Sequence, residues 1–405
     1  MSLLDKWLSR KPPGKSEFAQ IVIKEFERAG VSGLEYREDD FALRIAGRDA
    51  TVFLHNSYSN YCLAEANQRK EVITKLVASF ATLPEIETSF AAARSHLMPV
   101  VRDSAYYSLT ELLAQKEGAR DPGMIWQAKP VADGLIAGLA YDTEHSITTL
   151  NRQTLAGWGV GFHQAFSVAR DNLWERTALN RLVGRDGLYW GEWADSYDSS
   201  RLLLPELIYR LALDGDPVAY VPNRDALLVT GKNNMEALRL ILKKGGETHF
   251  NQGHPVSPNL YWLDEGVWKL YVPEDLELQQ SWMATKRQRD ALDYARQKEL
   301  LDTMPGYEDV FVAKFTVFSR PDGSAFSVGV WPKDLDTSLP RAEMIGFVLD
   351  EESRDSFMVL WDAAIPIVGY LLEEEPGLTP VRYRGQRYPN EREVARLRNV
   401  ARNPK

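Results

Sequence analysis

Residues 218–229 read VAYVPNRDALLV, and this stretch decides the fold more than any other part of the chain. Two apolar runs flank the turn residues 222–225, a pattern that predicts an antiparallel hairpin. Asn and Asp suit the turn because their short side chains hydrogen-bond to nearby backbone groups. Similar signals predict hairpins within residues 124–141 and 260–272. The chain is therefore expected to build its sheets from local hairpins.

The N-terminal part of the sequence alternates between two hydrophobic periods. Residues 16–29 and 69–82 carry apolar side chains at helical spacing, which predicts two helices. Three short runs between them, at 34–36, 41–45 and 51–54, alternate apolar and polar residues as half-buried strands do. Together these patterns predict an α-β-β-β-α unit, and we assign it to residues 1–95.

The rest of the chain is expected to form a central α+β domain at 96–281 and a C-terminal βββα unit at 282–375. A basic tail follows at 376–405. Within these ranges the patterns predict an aromatic and acidic loop at 185–196, a helix at 200–213 and a helix at 353–372. The predicted fold class is α+β, with hairpin and meander antiparallel sheets flanked by helices in two to three units.

Composition and charge limit the classes of function. The chain has 405 residues, 44% of them hydrophobic, which is ample for cores in more than one domain. The net charge of −9 disfavours general nucleic-acid binding. The single cysteine, Cys62, excludes an intrachain disulfide and favours a cytoplasmic location. Neither end of the sequence carries a signal peptide or an apolar run long enough to span a membrane.

Four segments of the middle region resemble the bacterial YtpQ-like family, a domain of unknown function. They are residues 98–102 (MPVVR), 139–142 (LAYD), 198–203 (DSSRLL) and the hairpin at 218–229. The resemblance covers roughly residues 16–272 and preserves the order and spacing of these segments. It implies a related fold and a bacterial, cytoplasmic protein. The family has no assigned activity, so the resemblance implies no catalytic residue.

A set of charged and polar residues lies at strand ends and turns of the resembling segments. Arginine forks bind carboxylate or phosphate through two hydrogen bonds, and a nearby aspartate can orient the fork. These residues are therefore a candidate ligand pocket, with internal ion pairs and turn structure as the alternative. The set consists of Arg102, Asp142, Asp198, Arg201, Asn223, Arg224 and Asp225.

Other motifs give weaker indications. The aromatic and acidic residues at 189–198 resemble a sugar-binding platform, but they are also typical of a lid over the core. His249 and His254 share one loop and lack a third ligand, so no metal site is predicted. The glycines at 157–161 lack the preceding strand of a dinucleotide loop and are read as a turn between helices. No cofactor and no catalytic residue is predicted.

The C-terminal residues 376–405 contain eight Lys or Arg and two Glu, so this tail carries +6 and the remaining body −15. The tail is a candidate contact for nucleic acid or an acidic partner, and otherwise either stays solvated or folds back on the body. The candidate contact residues are Arg382, Arg384, Arg387, Arg392, Arg396 and Arg398.

Three functions follow from these features as hypotheses. The absence of a catalytic motif favours a protein-binding or adaptor module, for which we expect a protein partner. The arginine–aspartate set supports an enzyme or a binder of a small anionic ligand. The basic tail supports nucleic-acid contact. The small-ligand hypothesis requires that the side chains of the arginine–aspartate set lie together, whereas the protein-binding hypothesis does not. A structure can therefore distinguish the two.

Overall fold

The computed structural model describes residues 12–38, 41–45, 51–81, 86–116, 126–144, 146–251, 253–350, 355–385 and 387–402. At the N-terminus, helices pack on one face of a three-stranded meander of order β1-β2-β3. Phe18, Val22 and Phe26 of the first helix lie in the core of this layer with Leu43 of the second strand. The elements are α1 (Lys15–Arg28), β1 (Leu34–Arg37), β2 (Ala42–Ile45), β3 (Thr51–Phe53), α2 (His55–Leu63) and α3 (Arg69–Ala81).

The middle of the chain contains two antiparallel sheets and several short helices. The helices are α4 (Phe90–Ala93), α5 (Ser104–Lys116), α6 (Arg152–Gly157), α7 (Phe162–Arg176), α8 (Pro205–Ile208) and α9 (Met235–Asn251). The strands are β4 (Leu97–Asp103), β5 (Ala128–Ala132), β6 (Leu135–Asp142), β7 (Ile147–Thr149), β8 (Leu182–Arg185), β9 (Leu188–Gly191), β10 (Pro217–Tyr220), β11 (Leu228–Gly231), β12 (Leu260–Asp264) and β13 (Val267–Tyr271). Their orders are β4-β6-β5, with β7 beside β6, and β13-β12-β10-β11-β9-β8.

The C-terminal part begins with one long helix and continues into two four-stranded sheets. The elements are α10 (Leu276–Leu301), β14 (Val310–Val312), β15 (Phe315–Ser319), β16 (Ala325–Pro332), β17 (Asp336–Pro340), β18 (Met344–Asp350), β19 (Asp355–Leu360), α11 (Trp361–Val368), β20 (Leu372–Glu374), β21 (Arg382–Gly385) and α12 (Glu391–Arg402). The sheet orders are β14-β17-β21-β20 and β15-β16-β18-β19. Trp331, Phe347, Trp361 and Leu397 lie in the core between these sheets and helices.

The α+β class is confirmed, and the predicted hairpins form. The decisive stretch pairs β10 with β11, with Val218 opposite Thr230 and Tyr220 opposite Leu228. The glycine-bearing segment at 157–161 separates α6 from α7, as predicted. Two pairings differ from the expected antiparallel pattern, because β14 runs parallel to β17 and β16 parallel to β18.

Three local predictions are wrong. The predicted loop at 185–196 contains the end of β8 and the whole of β9, and the predicted helix at 200–213 is a 3₁₀ turn followed by the short α8. The predicted helix at 353–372 begins instead with the strand β19. In β19 buried and exposed side chains alternate, so the strand period prevails there over the apolar composition.

The chain divides into two compact units. Unit one comprises the described residues up to Arg102 and those from Gln127 to Tyr271, and unit two the remaining described residues. The predicted boundaries at 95, 281 and 375 do not coincide with these limits. Helix α5 belongs to unit two because Leu112 packs with Leu300 and Leu301 of α10. The predicted tail belongs to unit two as well, because β21 lies between β17 and β20.

Candidate functional site

The site lies in unit one, where three connecting segments of the backbone meet. The Ser199 amide donates to the Arg224 carbonyl at 3.1 Å, and the Arg224 amide donates to the His254 carbonyl at 3.1 Å. The Val101 amide in β4 donates to Ser200 Oγ at 3.1 Å. These bonds join the segment after β9, the β10–β11 turn, the loop before β12 and the end of β4. The candidate ligand residues from separate parts of the sequence are thereby brought to one region.

Arg201 is a structural member of this region. Its guanidinium is fully buried and makes two hydrogen bonds to the Asp195 carboxylate, at 3.0 and 2.8 Å. Its Nε donates to Thr177 Oγ1 at 3.0 Å, and its charge lies 4.1 Å from the ring centroid of Trp193. Burial raises the pKa of Asp195, but the Arg201 hydrogen bonds and charge outweigh it and hold that pKa below its usual value. The ion-pair alternative therefore describes Arg201.

Asp142 and Asn223 are also held by internal contacts. The Asp142 carboxylate accepts hydrogen bonds from Arg176 Nη1 at 2.6 Å and from the Tyr197 hydroxyl at 2.9 Å. Burial and the Asp142 charge together raise the pKa of Tyr197, so this hydroxyl stays protonated and donates. Asn223 Oδ1 accepts from the Asp225 amide at 3.0 Å, which fixes the turn as the sequence predicts.

The positive charges of Arg224 and Arg102 both act on the imidazole of His254. Burial, with the positive charges of Arg224 and Arg102 nearby, holds the pKa of His254 well below its usual value. His254 is therefore neutral at physiological pH. Asn56 of α2 contacts His254 at two points. Asn56 Oδ1 accepts a hydrogen bond from the His254 backbone amide at 3.1 Å, and Asn56 Nδ2 lies 3.2 Å from His254 Nδ1. The Asn56 amide donates to Nδ1 in this arrangement, which puts the ring proton on Nε2.

The backbone of His254 is held in a conformation that is unusual for its residue type. Its φ of 60° lies in the left-handed region, which non-glycine residues seldom occupy. The Asn56 contacts and the isolated bridge between Asn223 and Pro255 fix the loop in this form. Backbone strain of this kind costs about 1–3 kcal/mol and concentrates at functional sites. The loop thus holds His254 in a fixed position beside the β10–β11 turn.

Asp198 is the least satisfied group of the site. Its side chain is 1% exposed, and among the described residues the Trp193 backbone amide is the donor directed at its carboxylate, in a geometry outside that of an ordinary hydrogen bond. The adjacent Ser199 Oγ is likewise buried and unbonded within that part of the chain. Burial raises the pKa of Asp198 to about 6, and the nearby Asp195 and Asp225 carboxylates add to the rise while Arg201 opposes it.

The structure brings the seven predicted residues into one neighbourhood, but in two roles. Arg201, Asp142 and Asn223 hold the region together by internal contacts, and Asp198 is buried. Arg102, Arg224 and Asp225 keep solvent-exposed surface. Sequence reasoning missed Asp195 and Arg176 as partners of this set, and it considered His254 only as a metal ligand. The position of His254 beside the β10–β11 hairpin depends on long-range packing, which no local sequence pattern encodes.

The basic tail is not a continuous cationic surface. Arg382 is fully buried, which removes it from the predicted contact. Arg384, Arg387 and Arg398 form ion pairs with Glu375, Glu393 and Asp355, respectively. In the part of the chain that the structure describes, Arg392 and Arg396 alone among the six are exposed without an ion pair. Two such charges supply little of the salt-dependent affinity that phosphate backbones require.

Weaker candidates are accounted for by internal contacts. Trp193 donates its indole proton to the Ala178 carbonyl at 2.9 Å and Trp190 donates to Glu192, so these aromatic side chains are partly anchored within unit one. Among the described residues no group of three His, Cys, Asp or Glu side chains has a metal-binding arrangement.

No family model, curated protein or solved structure matches this chain. The YtpQ-like resemblance therefore stays a prediction, and the site is interpreted from its geometry. Within the described residues, no helix has the length and apolar character needed to cross a membrane.

Proposed function

We propose that unit one binds a small carboxylate-bearing molecule at Arg102, Arg224 and His254. The observation that carries the proposal is the backbone hydrogen bond from Arg224 to His254 at 3.1 Å, at a place where the positive charges of Arg224 and Arg102 both lower the pKa of that imidazole. Like charges brought together repel each other, and an anion placed between them relieves the repulsion. The Nε2 proton of His254 is a further donor, and arginine forks match the two oxygens of a carboxylate.

The charges around the arginines favour a singly charged ligand. Asp225 lies 3.3 Å from Arg224 and is the only residue with which Arg224 forms an ion pair among those described. Asp195 and Asp198 lie in the same region, so a doubly charged phosphate would meet more repulsion than a carboxylate. Arg102, Arg224 and His254 are each partly exposed, which leaves them within reach of a small molecule.

We rank this proposal above the protein-binding prediction because the arginine–aspartate set meets in one place. Protein binding has no comparable contact in the described residues to support it. A cytoplasmic location, which rests on the lone cysteine, is consistent with a small metabolite as ligand. The resemblance to the YtpQ-like family is compatible with either function.

Calorimetric titration with acetate and with inorganic phosphate at low ionic strength tests the proposal. We expect acetate to bind more tightly than phosphate, and Arg102→Gln and Arg224→Gln each to weaken it about tenfold or more, since each removes a charge-assisted hydrogen bond. Arg185→Gln removes a charge of the same sign from an exposed position, where 83% of the side chain is accessible. Equal losses in Arg185→Gln and Arg224→Gln, or tighter binding of phosphate, would contradict the proposal.

A further inference from the structure

One face of helix α2 holds the loop that carries His254. Asn56 and Asn60 lie one turn apart on this helix, so they share a face. Asn60 Oδ1 accepts a hydrogen bond from the Gly253 amide at 3.1 Å. Asn56 Oδ1 accepts one from the His254 amide, also at 3.1 Å. Two consecutive amides of the loop are therefore bound by two consecutive turns of α2.

The glycine at position 253 permits this close approach. A Cβ atom at residue 253 would lie 2.9 Å from Asn60 Oδ1 and 3.2 Å from the Asn56 carbonyl oxygen. The second of these atoms belongs to the helix backbone, so it cannot move aside as the end of a side chain can. Glycine therefore lets the loop lie against α2, where both asparagines reach it.

The contacts of Asn56 fix which way round its side-chain amide lies. A backbone N–H can only donate, so the atom facing the His254 amide must be the Asn56 oxygen. The Asn56 nitrogen then lies 3.2 Å from His254 Nδ1, and because it too can only donate, Nδ1 must accept. The one proton of the neutral ring is thus on Nε2. Since Nδ1 is occupied by Asn56, Nε2 is the nitrogen of this half-buried ring that can bind another molecule.

We propose that Asn56 is a positioning residue of the site, which keeps the proton of His254 on Nε2 and thereby selects a ligand that presents an unprotonated oxygen. For the ligand this inference rests on the proposed function, whereas the tautomer rests on the hydrogen bonds of Asn56. Burial and the charges of Arg224, in the β10–β11 turn, and Arg102, in β4, hold the pKa of His254 well below its usual value. The ring therefore has a single proton, and Asn56 determines where that proton lies.

An aspartate at position 56 should reverse the tautomer. Its carboxylate has no proton to donate, so in Asn56→Asp the proton of the neutral ring moves to Nδ1, and Nε2 becomes an acceptor. The carboxylate can still accept from the His254 amide, so this contact of the loop is kept. Asn60→Asp is the matched control, because it adds the same charge one turn along α2 and can still accept from the Gly253 amide.

Long-range proton–nitrogen NMR spectra of the full-length protein without ligand show which nitrogen of each histidine is protonated. The signal of His254 is the one missing from His254→Gln. We expect the proton on Nε2 in the wild type and in Asn60→Asp, and on Nδ1 in Asn56→Asp once its ring is neutral. A wild-type proton on Nδ1 would overturn the inference even if Asn56→Asp did not fold. An Asn56→Asp spectrum with the proton still on Nε2 would overturn it as well.

Acetate titration from pH 5 to pH 9 gives a second readout. The new carboxylate of Asn56→Asp raises the pKa of His254, and the imidazolium keeps a proton on Nε2 until the pH exceeds that value. The ratio of variant to wild-type affinity should then fall about tenfold as the pH rises, the size of one charge-assisted hydrogen bond. The same ratio for Asn60→Asp should stay constant within about twofold, as expected for a charge that does not contact the ring. A constant ratio for Asn56→Asp would contradict the inference.

The outcomes distinguish the two proposals. If acetate does not bind to the wild type, the proposed function fails, and the part of the inference that concerns the ligand fails with it. If acetate binds but the proton lies on the same nitrogen in Asn56→Asp and the wild type, the carboxylate site stands and the role of Asn56 is refuted. A moved proton together with a falling affinity ratio supports both proposals.

Discussion

At the scale of single residues, the site combines groups that stabilise the fold with one that opposes it. Arg201 and Asp195 satisfy each other with two short hydrogen bonds, as buried charges must. Asp198, buried beside them, has weaker compensation, since among the described residues the Arg201 charge and the Trp193 backbone amide only partly offset its burial. Functional sites commonly retain groups that reduce stability, because the ligand supplies the missing interactions.

Asp198→Asn should stabilise the protein at neutral pH. The native pKa of about 6 exceeds the usual 3.8, so the folded state keeps a proton that the unfolded chain has released. Stability from this group is fully present below pH 3.8 and is lost as the pH rises through 6. The difference between these two pKa values corresponds to at most about 3 kcal/mol in the free energy of unfolding.

Urea denaturation at pH 5 and pH 8, on both the wild type and Asp198→Asn, measures this effect. The variant should gain more at pH 8 than at pH 5, while Asp171→Asn, at an exposed position on α7 of the same unit, gains nothing at either pH. An equal effect of Asp198→Asn at the two pH values would show that the carboxyl is not buried in the way the structure describes.

At the scale of elements, local signals predicted local structure well. Hairpins such as β10–β11 carry both the alternating strands and the turn residues in one stretch, so sequence alone identifies them. Parallel neighbours such as β16 and β18 pair across an intervening strand of the sequence, so no local turn marks their pairing. The strand β19 was predicted as a helix because its apolar residues continue directly into those of α11.

Arg382 shows how a charge pattern can mislead. Sequence reasoning placed it in a solvated basic tail, but it lies inside β21 and is fully buried. Its guanidinium donates to Gln297 Oε1 at 2.5 Å, to the Ala313 carbonyl at 3.0 Å and to the Ser338 carbonyl at 3.1 Å. A net charge counts every charged side chain. It does not show which of them are buried and hydrogen-bonded to backbone carbonyls.

Arg382→Ala should therefore destabilise unit two by about 3 kcal/mol or more, because it removes three buried charge-assisted hydrogen bonds. Arg396→Ala changes an exposed arginine on α12 and should stay within about 0.5 kcal/mol of the wild type. Thermal unfolding of both variants gives the comparison. Similar unfolding temperatures for the two variants would refute the buried role of Arg382.

At the scale of the whole molecule, the sequence predicts three consecutive parts with a tail, whereas the described residues divide into two compact units whose segments alternate along the chain. Composition and periodicity identified the class of fold and the existence of several cores. They gave no sign that α5 joins elements much later in the sequence, because that contact depends on Leu112 meeting Leu300 and Leu301. The residue set was identifiable from the sequence as a hypothesis, but the division between members held by internal contacts and members with exposed surface was not.

Deletion of residues 376–405 should unfold unit two. It removes β21 from the middle of its sheet, leaves β20 without a neighbouring strand and takes Leu397 out of the core. Limited proteolysis should then cleave readily within 276–374, while fragments from unit one remain protected. A deleted chain that resists proteolysis as the full-length protein does would contradict this expectation.

The alternation of the two units has a consequence for synthesis on the ribosome. Helix α5 at Ser104–Lys116 emerges early, but the elements of unit two that it packs against begin only with α10 at Leu276, and β21 comes close to the end. Helix α5 must wait, with apolar side chains such as Leu112 uncovered, until most of the remaining chain has been translated. The nascent protein therefore passes through a period in which one domain can mature while the other lacks its partners, and a chaperone that shields α5 would act in that interval.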